Sequence, residues 1–215
     1  RQYFSLNPIT DSVLIGSGIG LFAADQFLFR FKNDRVFGGT PYNRDDVNPF
    51  DRWAMRPYSR ALDITGDVFI GAAMATPLVF VAVDKHEWIT IGIMYAETML
   101  LTHAVKDFIK SLTFRARPYM YFEGYPQKCV DSGDWNNSFP SGHTMQAFAA
   151  AAFTSFVFAV YFPRSLWNIP VSAGSYALAA TVAVLRLSSG NHFLTDVLAG
   201  AAFGTVFGIG IPLLH

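Results

Sequence analysis

The chain has 215 residues, 52% of them hydrophobic, 16% aromatic and only 15% charged. A soluble domain carries about 25% charged residues, so this chain is depleted in charge. Its 16 Lys and Arg balance 16 Asp and Glu, which removes any general electrostatic case for nucleic-acid binding. The single cysteine, Cys129, excludes an intrachain disulfide framework and a cysteine-rich metal site.

A helix that crosses a bilayer needs about 20 mostly apolar residues, and six stretches approach or meet that length. The first, 12–29, is glycine-rich and interrupted by Asp25. A polar segment, 30–60, follows with turn signals at "GGTPYN" and "VNPF", and reads as an extramembrane loop. The second stretch, 68–83, carries no charge. The third, 88–112, starts apolar, contains Glu97 and becomes charged toward its end. After a second long loop, 117–142, come three more uncharged runs at 144–162, 165–185 and 197–214. This pattern predicts an all-α, polytopic membrane helical bundle of about six transmembrane helices, in one domain over 1–215. The mean hydropathy of +0.28 would also suit a soluble helical protein, but the long uncharged runs favour the bilayer. The chain begins at Arg1 without an initiator methionine, as expected of a trimmed sequence.

Trp53, Trp88, Trp135 and Trp167 fall near the ends of these stretches, where indole prefers the headgroup layer. Gly200, Gly204 and Gly208 recur every fourth residue in the last one. They form either a stripe for close helix approach or ordinary glycine enrichment. With six spans, the loops after the first, third and fifth share one face. The opposite face has few basic residues beyond Arg1, Lys85 and Arg164, while the crowded face also holds Asp34, Asp45, Asp46 and Asp51. Positive-inside bias would make the crowded face cytoplasmic, unless its arginines are retained for chemistry.

Three clusters at span ends on that face carry chemistry. "KSLTFRARP" separates Lys110 from Arg117 by seven positions, which share one face if the helix continues. His103 and Lys106 extend a cationic stripe there, though snorkelling to headgroups would also explain it. "PSGH" sets Ser141 and Gly142 before a helix. There, free backbone N–H groups and the positive dipole end suit a phosphate, and His143 lies in the first turn. "RLSSGNHFLTD" contains Arg186, His192 and Asp196. A His and Asp four apart on a helix let the carboxylate fix the imidazole tautomer, although an ordinary polar helix cap fits equally. Together the clusters supply cations, two histidines and an orienting carboxylate, an inventory suited to phosphoryl transfer. No Walker-type glycine loop is present, which disfavours nucleotide hydrolysis.

In these residues the sequence resembles the type 2 phosphatidic acid phosphatase (PAP2) superfamily. Its pattern is Lys-x6-Arg-Pro, Pro-Ser-Gly-His, then Ser-Arg-x5-His-x3-Asp. Lys110 to Pro118, Pro140 to His143 and Arg186 to Asp196 match it, with Leu185 in place of the serine. The resemblance implies that His192 attacks phosphorus and forms a phosphohistidine, that Asp196 orients it, and that His143 protonates the leaving alcohol and then activates water. It implies that Lys110, Arg117 and Arg186 hold the phosphate oxygens with Ser141 and the Gly142 N–H, and that neither a metal nor another cofactor is needed. The expected substrate is a membrane lipid phosphate, with the bilayer as surroundings and no protein or nucleic-acid partner. The resemblance implies a bacterial inner-membrane enzyme with its site facing the periplasm, against the basic-residue count. The segment "DRWAMRPYSR" either shapes headgroup selection or simply connects. The same pattern also resembles the vanadium-dependent haloperoxidases, a larger soluble branch that the apolar spans disfavour. A lipid or ion transporter and a non-catalytic lipid-binding relative are the remaining readings.

Overall fold

The computed structural model describes residues 3–32 and 37–215; Arg1 and Asp34, counted in the charge reading, lie outside them. Among the described residues there are eight α-helices and no strand. They are α1 (Pro8–Lys32), α2 (Pro49–Arg52), α3 (Arg60–Met74), α4 (Trp88–Thr113), α5 (Gln127–Asp131), α6 (Gly142–Tyr161), α7 (Asn168–Ser188) and α8 (Leu194–Leu213). The six long helices correspond in order to the six apolar stretches.

Local chemistry sets their ends. α3 begins before its apolar run because Ser59 caps it, its hydroxyl accepting the Leu62 N–H. The chain then continues as a 3-10 segment, Thr76–Ala82, where Pro77 lacks the N–H an α-helix would use. Arg60–Ala82, Gly142–Tyr161, Asn168–Ser188 and Leu194–Leu213 are each long and apolar enough to cross a membrane. Their outer faces expose Val68, Leu78, Val81, Ile169, Val184 and Val206, a surface matched to lipid rather than water. The protein is therefore a polytopic membrane helical bundle. α1 and α4, at 25 and 26 residues, have the length to span, but each carries four charged residues. Asp25, which interrupts the first stretch, is buried and accepts a hydrogen bond from Ser111 of α4.

Two expectations need correction. α4 does not run on to Arg117: it stops at Thr113 with Phe114 in the left-handed region, φ 47°. Arg117 is extended, φ −75° and ψ 153°, as a residue before proline prefers. Lys110 and Arg117 therefore do not share a helix face. Among the tryptophans, Trp88 and Trp167 are exposed at helix starts and Trp53 is exposed beside the short α2. Trp135 is buried instead, packed on Phe37 and Tyr42, because its loop folds back over the bundle end.

α6 is the central helix, packed against α3, α4, α7 and α8. Its seam with α8 is the most extensive helix pairing among the described residues, and the glycine stripe lets the two backbones meet. A Cβ on Gly200 would stand 2.7 Å from the Ser141 carbonyl oxygen; on Gly204 and Gly208 it would press still harder on the carbonyls of Met145 and Ala149. The stripe is thus an approach surface, not simple enrichment. Inside a bilayer lipid tails are as apolar as the helices, so such van der Waals contact carries the association. Gly204→Leu is expected to separate the two helices and cost at least ~1–3 kcal/mol, seen as a lowered Tm in detergent. Gly20→Ala, at a position with nothing within 4 Å, is expected to leave Tm unchanged or slightly higher.

Candidate active site

The three sequence clusters meet in a cavity of about 430 Å³ at one end of the bundle. Six of the eight residues expected at the site line it: Lys110, Arg117, Gly142, His143, Arg186 and His192. Asp196 and Ser141 stand behind it. The lining also holds Lys106, His103 and three carboxylates, Asp63, Asp67 and Asp134, so four basic side chains face three carboxylates besides three histidines.

His192 is 2% exposed and sits in the short loop between α7 and α8. Its Nδ1 lies 2.7 Å from the backbone carbonyl of Ser138. A carbonyl only accepts, so Nδ1 carries the proton and Nε2 the lone pair. Nε2 faces the cavity, with Arg117 Nη1 3.3 Å away. Burial, then the charges of Arg117, Arg186 and Lys110, hold the imidazole well below its ordinary pKa of 6.5. The result is a neutral imidazole whose free nitrogen points at a cationic cavity, the form a nucleophile requires.

The guanidiniums are fixed by carboxylates and carbonyls. Arg117 donates to the side chain of Asp134 at 2.7 Å, to its carbonyl at 3.0 Å, and to the Asn191 carbonyl at 3.1 Å. Burial works against the Arg117 charge, but Asp134 outweighs it and raises the pKa above the usual arginine value. In turn burial pushes the Asp134 carboxyl up, and Arg117, then Lys110, hold it below its ordinary value. Arg186, reaching in from the end of α7, donates to Asp63 at 2.7 Å. Asn191 donates to the same oxygen at 3.0 Å. His143, in the first turn of α6, places Nε2 2.8 Å from Asp67. Cys129 also lines the cavity, and burial pushes its thiol above the ordinary range, so it stays protonated.

A Cβ on Gly142 would meet Lys106 Cδ at 2.5 Å, a clash that the flexible lysine side chain can relieve by moving. Ser141 differs from expectation. Its hydroxyl is fully buried and pairs with Thr144 Oγ1 at 2.9 Å, because at the helix N-cap it turns along the helix rather than into the cavity.

The contact expected between His192 and Asp196 is also absent as a hydrogen bond; Asp196 Oδ2 lies 3.8 Å from Nδ1. The four-residue spacing fails because His192 precedes α8 and Phe193 is its extended N-cap, φ −78° and ψ 165°. Asp196 folds back to accept the Phe193 N–H at 2.8 Å and the Ser138 hydroxyl at 2.5 Å. It thus acts as a helix cap and holds Ser138, whose carbonyl orients His192.

Arg115 was not singled out by sequence. It bridges two fully buried carboxylates, Asp51 at 2.6 Å and Asp196 at 2.5 Å, and lies 4.2 Å over the Phe193 ring. Asp51 also accepts the Thr195 N–H at 2.9 Å and its hydroxyl at 2.7 Å. Burial raises the Asp51 carboxyl, and the Thr195 N–H, Asn48 and Arg115 more than reverse this. The loop containing Asp51 therefore braces the site; none of its described residues lines the cavity. Asp63 and Asp67 were missed too, although two acids one turn apart at the head of an uncharged run are a readable signal. Arg115→Met would leave Asp51 and Asp196 without their shared cation and is expected to cost ~3–5 kcal/mol, measured by unfolding in detergent. Arg115→Lys is expected to recover only part, since an ammonium cannot span both carboxylates as a guanidinium does.

The chain is 27% identical over 218 residues to Lipid phosphate phosphatase 1 of Arabidopsis thaliana, covering 90% of this chain and 62% of that protein. It is 39% identical over 72 residues to Lipid A 1-phosphatase of Porphyromonas gingivalis, covering 34% of this chain and 15% of that protein. The chain thus spans less than two thirds of the length of these relatives. Among solved structures it is similar to a transmembrane PAP2-type phosphatidylglycerolphosphate phosphatase from Bacillus subtilis, with a TM-score of 0.46 and 20% identity over 95% of both chains. The PAP2 superfamily model matches residues 91–215, more than half of the chain and all three clusters, and the chain belongs to that superfamily.

Proposed function

We propose that this protein is a metal-independent membrane lipid phosphatase, which hydrolyses a phosphomonoester or pyrophosphate through a phosphohistidine. The observation that carries this reading is His192 Nε2, free of its proton and aimed into a cavity ringed by Arg117, Arg186 and Lys110. In the proposed reaction the Nε2 lone pair attacks phosphorus and the bond to the leaving oxygen breaks. His143 gives that oxygen a proton and, in the second step, takes one from the water that attacks the phosphohistidine. Phosphate leaves and His192 is restored. Lys110, Arg117 and Arg186 neutralise charge on the phosphoryl oxygens, with the Gly142 N–H at the α6 N-terminus. Asp67 positions His143, and Asp196 positions His192 through Ser138.

A lipid substrate fits the shape between α3 and α4. Both pack on α6, and the cationic cavity lies between them at one end. Further along the same two helices is a second cavity of about 470 Å³, lined by Gly71, Met74, Leu78, Val81, Ile91 and Tyr95. Asp67 and Gly71 are one turn apart on α3, so a phosphate at the first cavity would lead its apolar chains into the second. The names of the two relatives, lipid phosphate and lipid A phosphatases, support the same class. Phosphatidic acid, phosphatidylglycerol phosphate, isoprenyl pyrophosphates and lipid A phosphates are the candidates.

In detergent micelles containing these lipids, the protein is expected to release phosphate and to act poorly on a soluble ester. His192→Ala should lower release by at least ~10³-fold, and His143→Ala by ~10²–10⁴-fold, both with unchanged gel-filtration profiles. A rapid-quench trap should find an acid-labile, base-stable phosphoenzyme in wild type and none in His192→Ala. Wild-type release by either variant would overturn the assignment.

We place the protein in a bacterial inner membrane with the cavity on the periplasmic side. A thiol introduced as Gln127→Cys in a Cys129→Ser background lies on the cavity face, and Gln127 is exposed. Impermeant maleimide added outside spheroplasts should label it; labelling only after lysis would reverse the orientation.

A further inference from the structure

Well away from the cationic cavity, the fold gathers three residues that the sequence separates by 86 and 118 positions. Asp11 lies in the first turn of α1, Glu97 on α4, and His215 just after α8. Glu97 is 13 residues before Lys110 on α4, about 20 Å along its axis, so this cluster lies toward the opposite face of the bundle. His215 Nε2 is 2.8 Å from Glu97 Oε2, and Nδ1 is 3.5 Å from Asp11 Oδ1. Among the described residues, His215 is the sole ion-pair partner of either carboxylate.

Two observations separate this cluster from an ordinary acid–imidazole contact. It is buried: the side chains of His215 and Glu97 are 0% and 2% exposed. Each of the three residues also keeps one buried polar atom without a hydrogen-bond partner, namely Asp11 Oδ1, Glu97 Oε1 and His215 Nδ1. Unpaired buried polar atoms are rare because each forfeits its hydration. Three at one point, two of them on carboxylates, call for a positive group.

Each residue offers one ligand atom, and these atoms all lie within 4.8 Å of one another. Donors so placed are no more than ~2.8 Å from a common centre, against ~2.1 Å in a formed zinc site, and side-chain rotations that bring both carboxylates, now on different ring nitrogens, to one nitrogen would close the difference. One imidazole and two carboxylates favour a borderline divalent ion over magnesium or calcium, which prefer oxygen alone. Two carboxylates and a neutral imidazole also match a dication in charge.

We propose that Asp11, Glu97 and His215 form a structural site for a divalent transition-metal ion of the zinc class, tying α1 to α4 and to the end of α8. α1 gains most from it, since α1 otherwise packs chiefly on α4. The sequence reading assigned no metal to this chain, and no motif spacing could have revealed ligands so far apart. The site is independent of the reading given to the cationic cavity.

Tag-free, detergent-solubilised full chain, stripped with EDTA, reloaded with Zn²⁺ and gel-filtered, is expected to retain about one Zn²⁺ per chain by mass spectrometry. It should also rise in Tm by about 5 °C or more at a hundredfold excess over Kd. Mg²⁺ should neither compete nor raise Tm. Glu97→Gln and His215→Asn should each weaken Zn²⁺ binding at least ~10-fold while leaving phosphate release by the loaded and stripped proteins alike. Asp11→Asn, at the partly exposed ligand, reports the same loss should the two buried variants not fold. Wild-type protein that is monodisperse yet retains no Zn²⁺ and shows no Tm rise overturns the site, as an imidazolium bridging two carboxylates would. Equal Zn²⁺ retention by wild type and the folded variants overturns it as well.

Discussion

The buried carboxylate of Asp196 holds the site together. A charge with no exposure to water is tolerated only where its oxygens are fully matched, and here they are. One oxygen receives Arg115 from the loop after α4; the other receives the Ser138 hydroxyl and the Phe193 N–H. The Asp196 carbonyl also accepts the Ser141 N–H at 3.1 Å. One residue thereby ties the segment behind Arg117, the turn before His143 and the loop that carries His192. None of these loops has regular structure to hold it, so their mutual placement rests on this charge and its partners.

Arg115 extends the same network to Asp51, which in turn binds Thr195 at the head of α8. The long loop between α1 and α3 thus contributes to the site from behind. Its role is to balance buried charge rather than to touch a ligand. The residues facing the cavity follow a similar rule: each guanidinium is held by a carboxylate, Arg117 by Asp134 and Arg186 by Asp63. Such pairing keeps long side chains ordered without a ligand, and under the proposed function an arriving phosphate would compete with those carboxylates for the same donors.

Much of this was legible in the sequence, in an uneven way. Four of the six long helices followed from uncharged runs and the other two from apolar runs broken by Asp25 or Glu97, because span length is a property of composition. That Lys110, Arg117, His143, Arg186 and His192 line one cavity was legible from residue type and motif order, although each cluster alone fits snorkelling or an ordinary helix cap. Contacts inferred from helical spacing fared worse. Lys110 and Arg117 were expected on one helix face, and Phe114 breaks that helix; His192 and Asp196 were expected one turn apart, and Phe193 begins the helix after the histidine. Spacing rules hold only inside an element, and both pairs straddle a boundary. Arg115 was hidden for another reason: its partners, Asp51 and Asp196, lie far away in sequence, so no local pattern marks it, whereas Asp63 and Asp67 stand one turn apart in plain view.

The glycine seam between α6 and α8 has a further consequence. Gly200, Gly204 and Gly208 meet the carbonyls of Ser141, Met145 and Ala149, so both sides of the contact repeat every four residues. A slide of α8 by one residue would drive side chains into the α6 backbone. Even a shift of about 6 Å, four residues of helical rise, would return glycine to only two of the three contacts and set Asp196 or Pro212 at the third. The axial register of the pair is therefore fixed. The separation between the start of α6 and the loop entering α8, where the two histidines sit, takes one discrete value set by backbone contact, which side-chain repacking elsewhere cannot adjust.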